Sequence, residues 1–184
     1  MSESNTSKAN ERTIILSSNI NKDSAKLIME EILKINREDE KRDNKEKDFT
    51  RKPIELIVNS FGGSVYDGFA ICSVIEKSKT PVHTYVYGYA MSMGLLIAAS
   101  GHKRFGSKMA TFMYHQISTG IWDKIEGIKK ELEECLRLEL IYDGSLLSKT
   151  SIRKSELDDV KTQRKEWYIS ADEALKLKLI DEII

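Results

Sequence analysis

The sequence contains little cysteine, only Cys72 and Cys135 among 184 residues. Each lies in a helical pattern of apolar residues, and the pair lacks the spacing of metal ligands. Such cysteines are most simply explained as two buried apolar side chains in a reducing compartment. The composition therefore argues against a disulfide-rich fold and against a metal centre held by cysteine.

Net charge and long apolar runs are also absent. The 29 Lys and Arg residues balance the 29 Asp and Glu residues, so charge gives no reason to expect a nucleic acid or an anionic membrane as partner. No apolar run approaches the ~20 residues that cross a bilayer. Residues 1–11 are polar and lack the apolar core of a signal peptide. We therefore expect a flexible leader over residues 1–11 and a cytoplasmic protein.

The length of the chain suits one domain with a full core, which we place at residues 12–184. From Ile54 onward, short apolar strands alternate with amphipathic helices through short links, which predicts an α/β fold with parallel strands. Earlier, residues 37–52 are dense in both charges and predict a solvated loop insertion or a frayed helix extension. In chain order, the other predicted elements are a strand at 13–16, a helix at 23–36, a strand at 54–58, a helix at 66–77, a strand at 82–87, a buried helix after Ser92, two strands within 103–114, helices from Ser155 and Ser170, and a strand at 179–183.

One long helix is predicted at residues 121–147. Its apolar residues recur at spacings of four and three, which favours packing against a second helix: Ile121, Ile125, Ile128, Leu132 and Cys135. A domain of this size has no evident internal partner for so long a helix. A second copy of the chain is therefore the expected partner.

Ser92 lies in a turn between two contrasting segments. Residues 82–87 alternate like a strand, and residues 95–99 are an apolar run that predicts a buried helix. A serine at such a bend can hold its hydroxyl clear of the backbone, near the free N–H groups of the first helical turn. Many serines beside glycine are simply turn residues, so Ser92 needs further support from the rest of the chain.

That support comes from a histidine and a pair of glycines. His115 ends a later apolar run and is the best placed of three histidines to act as a base. Gly62 and Gly63 follow a predicted strand and allow the backbone to approach a ligand closely. A nucleophilic serine, a basic histidine and amide oxyanion donors together make the chemistry of acyl transfer. Taken singly, each of these residues is equally compatible with a structural role.

Four short motifs, in this order, resemble the proteolytic subunit of the caseinolytic (Clp) protease family. That family carries Asn-Ser-Pro-Gly-Gly after a strand, Gly-x-Ala-x-Ser-Met-Gly around its nucleophile, Met-Ile-His-Gln around its base, and Arg-Asp shortly before Ser-Ala-x-Glu-Ala. The corresponding segments here are Asn59-Ser60-Phe61-Gly62-Gly63, residues 88–94, residues 113–116, and Lys165-Glu166 before Ser170-Ala171-Asp172-Glu173-Ala174. The match runs from about Arg12 to the C-terminus, with residues 37–52 outside it.

The resemblance implies a serine endopeptidase with Ser92 as nucleophile and His115 as general base. It assigns the oxyanion hole to the backbone N–H groups of Gly63 and Met93. The third catalytic position, an aspartate in the family, is Glu166 here. A carboxylate at that position would fix the histidine tautomer and stabilise the imidazolium. No metal or organic cofactor is implied.

The resemblance also implies a fold and an assembly. The fold is the spiral α/β fold of ClpP-type peptidases and crotonases, built from repeated β-β-α or βαβ units, with a projecting handle over residues 117–150. In the family, two seven-membered rings stack through this handle and enclose the active sites. A homo-oligomer of heptameric rings, forming a tetradecamer that takes unfolded polypeptides, is therefore expected. A Clp-type ATPase is the implied protein partner.

Three other interpretations stay open. Glu166 and Phe61 depart from the family pattern, which suits a catalytically weak or inactive structural subunit of such an assembly. Asp158 and Asp159 are nearby alternatives for the catalytic carboxylate. A capsid-processing protease of virus type fits a short chain with an unusual handle. An acyl-CoA enzyme of crotonase type would hold a thioester oxyanion in the glycine loops and would need no serine–histidine pair.

Overall fold

The computed structural model describes residues 12–184, which form eight strands and six helices. The predicted leader at residues 1–11 lies outside the described residues. The strands are β1 (Thr13–Leu16), β2 (Ile54–Val58), β3 (Val82–Val86), β4 (Tyr89–Met91), β5 (Lys103–Gly106), β6 (Thr111–Tyr114), β7 (Trp167–Ser170) and β8 (Glu182–Ile183). The helices are α1 (Lys22–Asp43), α2 (Val65–Lys77), α3 (Met93–Ala99), α4 (Ile125–Lys149), α5 (Lys154–Thr162) and α6 (Ala171–Lys176).

Two sheets organise these elements into the α/β fold that the sequence predicts. The larger has five parallel strands in the order β1-β2-β3-β5-β8, and the smaller has three strands in the order β4-β6-β7. In the smaller sheet, β4 and β6 are parallel while β6 and β7 are antiparallel. Parallel neighbours need crossover connections, and α1, α2 and α3 supply them for the first strands of the larger sheet.

The core lies between the large sheet and the helices packed on it. The predicted apolar face of α1 is confirmed, because its four members are all buried: Ala25, Ile28, Ile32 and Ile35. All seven residues of α3 are buried, so this short helix crosses the interior. Ser92, the residue just before α3, therefore lies where β4 ends and the buried helix begins, and this position matters for the site described below.

Of the two structures expected for residues 37–52, the first part adopts the helix extension and not the loop, because α1 continues to Asp43. Asp39 is 1% exposed and holds this extension against the body of the protein. Its carboxylate accepts hydrogen bonds from the Arg12 guanidinium at 2.6 Å and the Thr80 hydroxyl at 2.7 Å. Burial alone would raise the pKa of Asp39, but the hydrogen bonds from Arg12 and Thr80 and the nearby positive charge hold it below the usual value.

Helix α4 also differs in detail from the prediction, since it begins at Ile125 and ends at Lys149. Its buried residues all lie at or beyond Leu138, where the helix packs against α3 and α5. The first half exposes its apolar side chains, with Ile125 at 72% and Leu132 at 54%. The spiral repeat and the handle function of this region stay predictions.

Smaller differences concern the C-terminal strand and the cysteines. The final strand covers only Glu182–Ile183, although the preceding residues Leu179 and Ile180 are buried in the core. Cys72 is buried and its pKa is raised to about 12 by desolvation, whereas Cys135 is half-buried; both are free thiols. Among residues 12–184, no helix is both long enough and apolar enough to cross a membrane.

Candidate active site

Ser92 forms a sharp turn between β4 and α3. Its φ of 53° and ψ of −125° lie in a region that non-glycine residues rarely adopt. The Ser92 N–H donates to the Met113 carbonyl at 2.9 Å, which anchors the turn to β6. The Ser92 hydroxyl does not cap α3, so it is free to point away from the helix. A strained strand-to-helix turn of this kind exposes a nucleophile while holding it rigidly.

His115 meets Ser92 because β4 and β6 are neighbours. Met91 pairs with Met113 in their parallel register, and His115 comes one residue after β6 ends. The Nε2 atom of His115 lies 2.9 Å from the Oγ of Ser92, at hydrogen-bond distance. The structure thus brings together the nucleophile and base that the sequence predicts, although 23 positions separate them along the chain.

The loop after β2 closes over this turn with two glycines in conformations that require glycine. Gly62 has a φ of 102° and Gly63 a φ of 144°. A Cβ atom on Gly62 would come 2.7 Å from the Cβ of Ser92, and a Cβ on Gly63 would overlap the Ile20 carbonyl. The Ile20 N–H donates to the Gly62 carbonyl at 2.8 Å and holds the loop in place. The loop backbone therefore approaches the Ser92 turn more closely than a side chain would allow.

Gly63 and Met93 both line the cleft beside Ser92. Within residues 12–184, neither N–H has a hydrogen-bond acceptor in the protein. Met93 is the first residue of α3, where backbone N–H groups have no partner within the helix. These two amides are available to an oxygen atom that enters the cleft.

The cleft has a volume of about 230 Å³ and combines this polar group with apolar walls. Phe61, Val65, Ile117 and Tyr142 form those walls. The Phe61 ring packs on Tyr89, with 4.3 Å between ring centroids, which stiffens the rim. A larger groove of about 410 Å³ between β1 and α1 is lined by residues that include no serine, cysteine or histidine. The cleft at Ser92 is therefore the better candidate for chemistry.

Glu166 comes just before β7, the strand that pairs with β6, but its carboxylate contacts a residue other than His115. Tyr114 pairs with Trp167 in the antiparallel β6–β7 register, so one further step would set His115 opposite Glu166. The Oε2 atom of Glu166 instead accepts a hydrogen bond from the Tyr168 hydroxyl at 2.5 Å. This hydrogen bond raises the pKa of Tyr168. Within residues 12–184, the His115 ring makes its hydrogen bond to Ser92 alone.

The two alternative carboxylates are no better placed. Asp158 binds the ammonium groups of Lys154, at 2.6 Å, and Lys161, at 3.4 Å. Asp159 is exposed on α5 and lines a different cleft with Trp167. Neither is part of the group around Ser92, so Glu166 remains the carboxylate with the best position along the chain.

Tyr142 also lies at the site, although no sequence motif predicts it. This residue lies on α4 and is 4% exposed. Its hydroxyl donates to the Ser92 carbonyl at 2.8 Å. The only sequence signal is its place on the buried stripe, four residues after Leu138 and four before Leu146. That stripe identifies a core position, but it does not say what the hydroxyl contacts.

The next residue, Asp143, belongs to a buried polar group beside the site. Its carboxylate accepts hydrogen bonds from the Tyr114 hydroxyl and the Lys161 ammonium, each at 2.7 Å. Burial, together with the hydrogen bond to Asp143, raises the pKa of Tyr114 above its ordinary value. Because Tyr114 precedes His115, this group ties α4 and α5 to the strand that carries the base.

Comparisons with known proteins agree with one another. The Clp protease family matches residues 2–184. An ATP-dependent Clp protease proteolytic subunit 1 from Prochlorococcus marinus subsp. pastoris is 30% identical over 177 residues, covering 95% of this chain and 84% of the relative. ATP-dependent Clp protease proteolytic subunits 2 from Synechococcus sp. (strain CC9605) and Parasynechococcus marenigrum are each 32% identical over 177 residues, covering 95% of this chain and 83% of the relative.

Proposed function

Because the chain belongs to the Clp protease family, we propose that it is a serine endopeptidase that hydrolyses peptide bonds of unfolded polypeptides through an acyl-enzyme at Ser92. The observation that carries this proposal is the 2.9 Å contact between His115 Nε2 and Ser92 Oγ in a cleft with two unpaired amides. That arrangement supports the roles of nucleophile, base and oxyanion donors that acyl transfer needs.

The reaction begins with proton transfer from the Ser92 hydroxyl to His115 Nε2 as Oγ attacks the peptide carbonyl carbon. The carbonyl oxygen becomes an oxyanion, and the Gly63 and Met93 N–H groups donate hydrogen bonds to it. The His115 imidazolium then gives its proton to the leaving amine, and the C–N bond breaks. A water molecule repeats the sequence on the ester: His115 takes its proton, the acid product leaves, and Ser92 regains its hydrogen.

Glu166 is the proposed third member of this group. When its carboxylate turns to His115 Nδ1, it favours the tautomer of the imidazole in which Nδ1 carries the hydrogen. Nε2 is then free to accept the serine proton. The register of β6 and β7 supports this role, because its continuation by one step would set the two residues opposite each other. Glutamate is one methylene longer than aspartate, so its carboxylate can also reach other partners.

We further propose that the protein works as a homo-oligomer of heptameric rings, stacked as a tetradecamer in the cytoplasm. Exposed apolar side chains on the first half of α4 support an interface there, since large exposed apolar patches are rare on monomers. A closed chamber would admit unfolded chains and exclude folded ones. The relatives are named ATP-dependent, and a Clp-type ATPase is the partner that we propose for delivering substrates.

A second candidate function is an inactive or weakly active subunit of such an assembly. The observation that favours it is the Glu166 carboxylate on Tyr168 rather than on His115. A capsid-processing role remains an alternative use of the same peptidase chemistry. The acyl-CoA alternative is not proposed, because it gives no role to the contact between Ser92 and His115.

Covalent labelling tests the proposal directly. The purified protein should react with a fluorophosphonate at Ser92 and should cleave a small fluorogenic peptide. Ser92→Ala should lose labelling and reduce turnover by about 10³-fold or more, as expected for a catalytic-triad nucleophile. Ser148→Ala is the matched control, because that hydroxyl is exposed and bonds only within α4.

Two results would contradict the assignment. Label on another serine, or full turnover in Ser92→Ala, would show that Ser92 is not the nucleophile. Absence of both labelling and turnover in an assembled wild-type protein would favour the inactive subunit instead.

A further inference from the structure

The peptide unit between Ser92 and Met93 is hydrogen-bonded through its carbonyl. Its carbonyl accepts hydrogen bonds from the Leu95 N–H at 2.9 Å and from the Tyr142 hydroxyl at 2.8 Å. Its N–H belongs to Met93, a residue that lines the cleft and whose N–H has no acceptor within residues 12–184. Because a peptide unit is planar, a group that fixes the direction of the carbonyl also fixes the direction of the N–H. Polarising the carbonyl also makes the N–H a better donor.

Tyr142 is held firmly enough to act in this way. Its ring is buried between Leu138 and Leu146 on the inner side of α4. The next residue, Asp143, is fixed by the Tyr114 hydroxyl and the Lys161 ammonium. Burial also keeps the pKa of the Tyr142 phenol well above its ordinary value, so the hydroxyl remains a neutral donor at working pH. The register of α4 therefore determines where this donor lies.

We propose that Tyr142 is a positioning residue for the oxyanion hole, whose hydroxyl orients the Ser92–Met93 peptide so that the Met93 N–H faces the substrate oxygen. The proposal rests on the proposed peptidase function and adds a residue on α4 to it. Tyr142 acts through this peptide and takes no proton from the substrate.

The expected effect is on the transition state more than on substrate binding. Loss of an oxyanion donor costs about 10²–10³-fold in kcat, whereas a tilted donor keeps part of its contact. Leu95 still binds the carbonyl when the Tyr142 hydroxyl is absent. We therefore expect Tyr142→Phe to lower kcat about 3–10-fold and to change KM less than about twofold.

The experiment compares Tyr142→Phe with Tyr66→Phe. Tyr66 also donates its hydroxyl to α4, at 2.6 Å to Glu134, and within residues 12–184 this hydroxyl has no hydrogen bond to the Ser92 turn. Both variants are measured for kcat and KM on a fluorogenic peptide, and for affinity toward a peptide boronic acid. The tetrahedral boronate on Ser92 sets an oxygen in the oxyanion hole, so its affinity reports on that hole. Tyr142→Phe should weaken boronate binding about 3–10-fold, and Tyr66→Phe should leave it unchanged.

The possible outcomes separate this proposal from the proposed function. A wild-type protein that reacts with neither fluorophosphonate nor boronate would overturn the peptidase function itself. A reactive wild type with unchanged kcat and boronate affinity in Tyr142→Phe would overturn the role of Tyr142 alone. A change in KM without a change in kcat would also overturn it. That pattern would indicate that Tyr142 contributes to substrate binding as part of the cleft wall.

A second variant covers the case in which Tyr142→Phe does not fold. 3-Fluorotyrosine at position 142 keeps the ring and the hydroxyl but makes the hydroxyl a stronger donor. It should tighten boronate binding relative to wild type. Unchanged affinity would contradict the proposal.

Discussion

At the scale of single residues, two groups compete for the Glu166 carboxylate. The Tyr168 hydroxyl binds it at 2.5 Å, and one further step of the strand register would set His115 opposite Glu166. Glu166 and Tyr168 lie two residues apart and are both exposed, so water weakens their hydrogen bond. A net contribution of about 1 kcal/mol corresponds to roughly a fivefold preference for one partner over the other.

Removing the competitor should therefore raise activity. We expect Tyr168→Phe to increase kcat/KM about 2–10-fold, because it deletes only the hydroxyl that binds Glu166. Glu166→Gln should lose most of the activity, and adding Tyr168→Phe to Glu166→Gln should then have no effect. A peptidase assay on the four proteins measures this coupling. A fall in activity in Tyr168→Phe alone would mean that the hydroxyl orients the carboxylate instead of diverting it.

The residues of the site differ in how far sequence can locate them. Ser92 and His115 could be assigned from local motifs, because each motif carries its own turn or strand end. The position of Glu166 along the chain could also be assigned, but the partner of its carboxylate depends on a side-chain rotamer. Tyr142 could not be assigned, since its contact with Ser92 depends on how α4 packs on α3.

At the scale of elements, α1 shows why the sequence left a charged segment open between a loop and a helix extension. Its extension looks polar throughout, yet Asp39 continues the buried stripe four residues after Ile35. A buried carboxylate is tolerated there because Arg12 and Thr80 bind it. Both partners are distant in sequence, so hydrophobic periodicity alone ends the helix too early.

Helix α4 carries a prediction about assembly. The double substitution Ile125→Asn and Leu132→Asn should yield single rings or smaller species. It removes two apolar side chains from the exposed surface of the first half of α4. Peptidase activity should fall with assembly. Analytical ultracentrifugation at micromolar concentration measures the species present. The matched control replaces Lys130 and Glu133, which are exposed and charged on the same helix, with asparagine.

The same measurement can contradict the proposed role of α4. A wild-type protein that sediments as a monomer and still cleaves peptides would exclude both the rings and a functional interface on this helix. Equal loss of assembly in the control would indicate a general weakening of the helix.

At the scale of the whole molecule, the α/β class and the family followed from order alone. Alternating strands and helices predicted the parallel sheet, and the Clp protease resemblance is confirmed over residues 2–184. The division into a five-stranded and a three-stranded sheet was not predicted. It depends on the pairing of β6 with β7, and the whole of α4 and α5 lies between those strands. Such pairings between distant segments leave no mark in local patterns.

The backbone angle at Ser92 also lowers the stability of the folded protein. A non-glycine residue at a φ of 53° and ψ of −125° costs about 1–3 kcal/mol, which the rest of the fold must offset. Glycine relieves this cost, whereas alanine keeps the Cβ atom that causes it. Glycine also gives the unfolded chain more conformational entropy, which offsets part of this gain. We therefore expect Ser92→Gly to be more stable than Ser92→Ala by about 1 kcal/mol, or about 2–4 °C in Tm.

Thermal unfolding of the two inactive variants at equal protein concentration tests this difference. A lower Tm for Ser92→Gly than for Ser92→Ala would mean that the turn is not strained. A higher one would mean that Ser92 keeps this chain below the stability that its own fold permits.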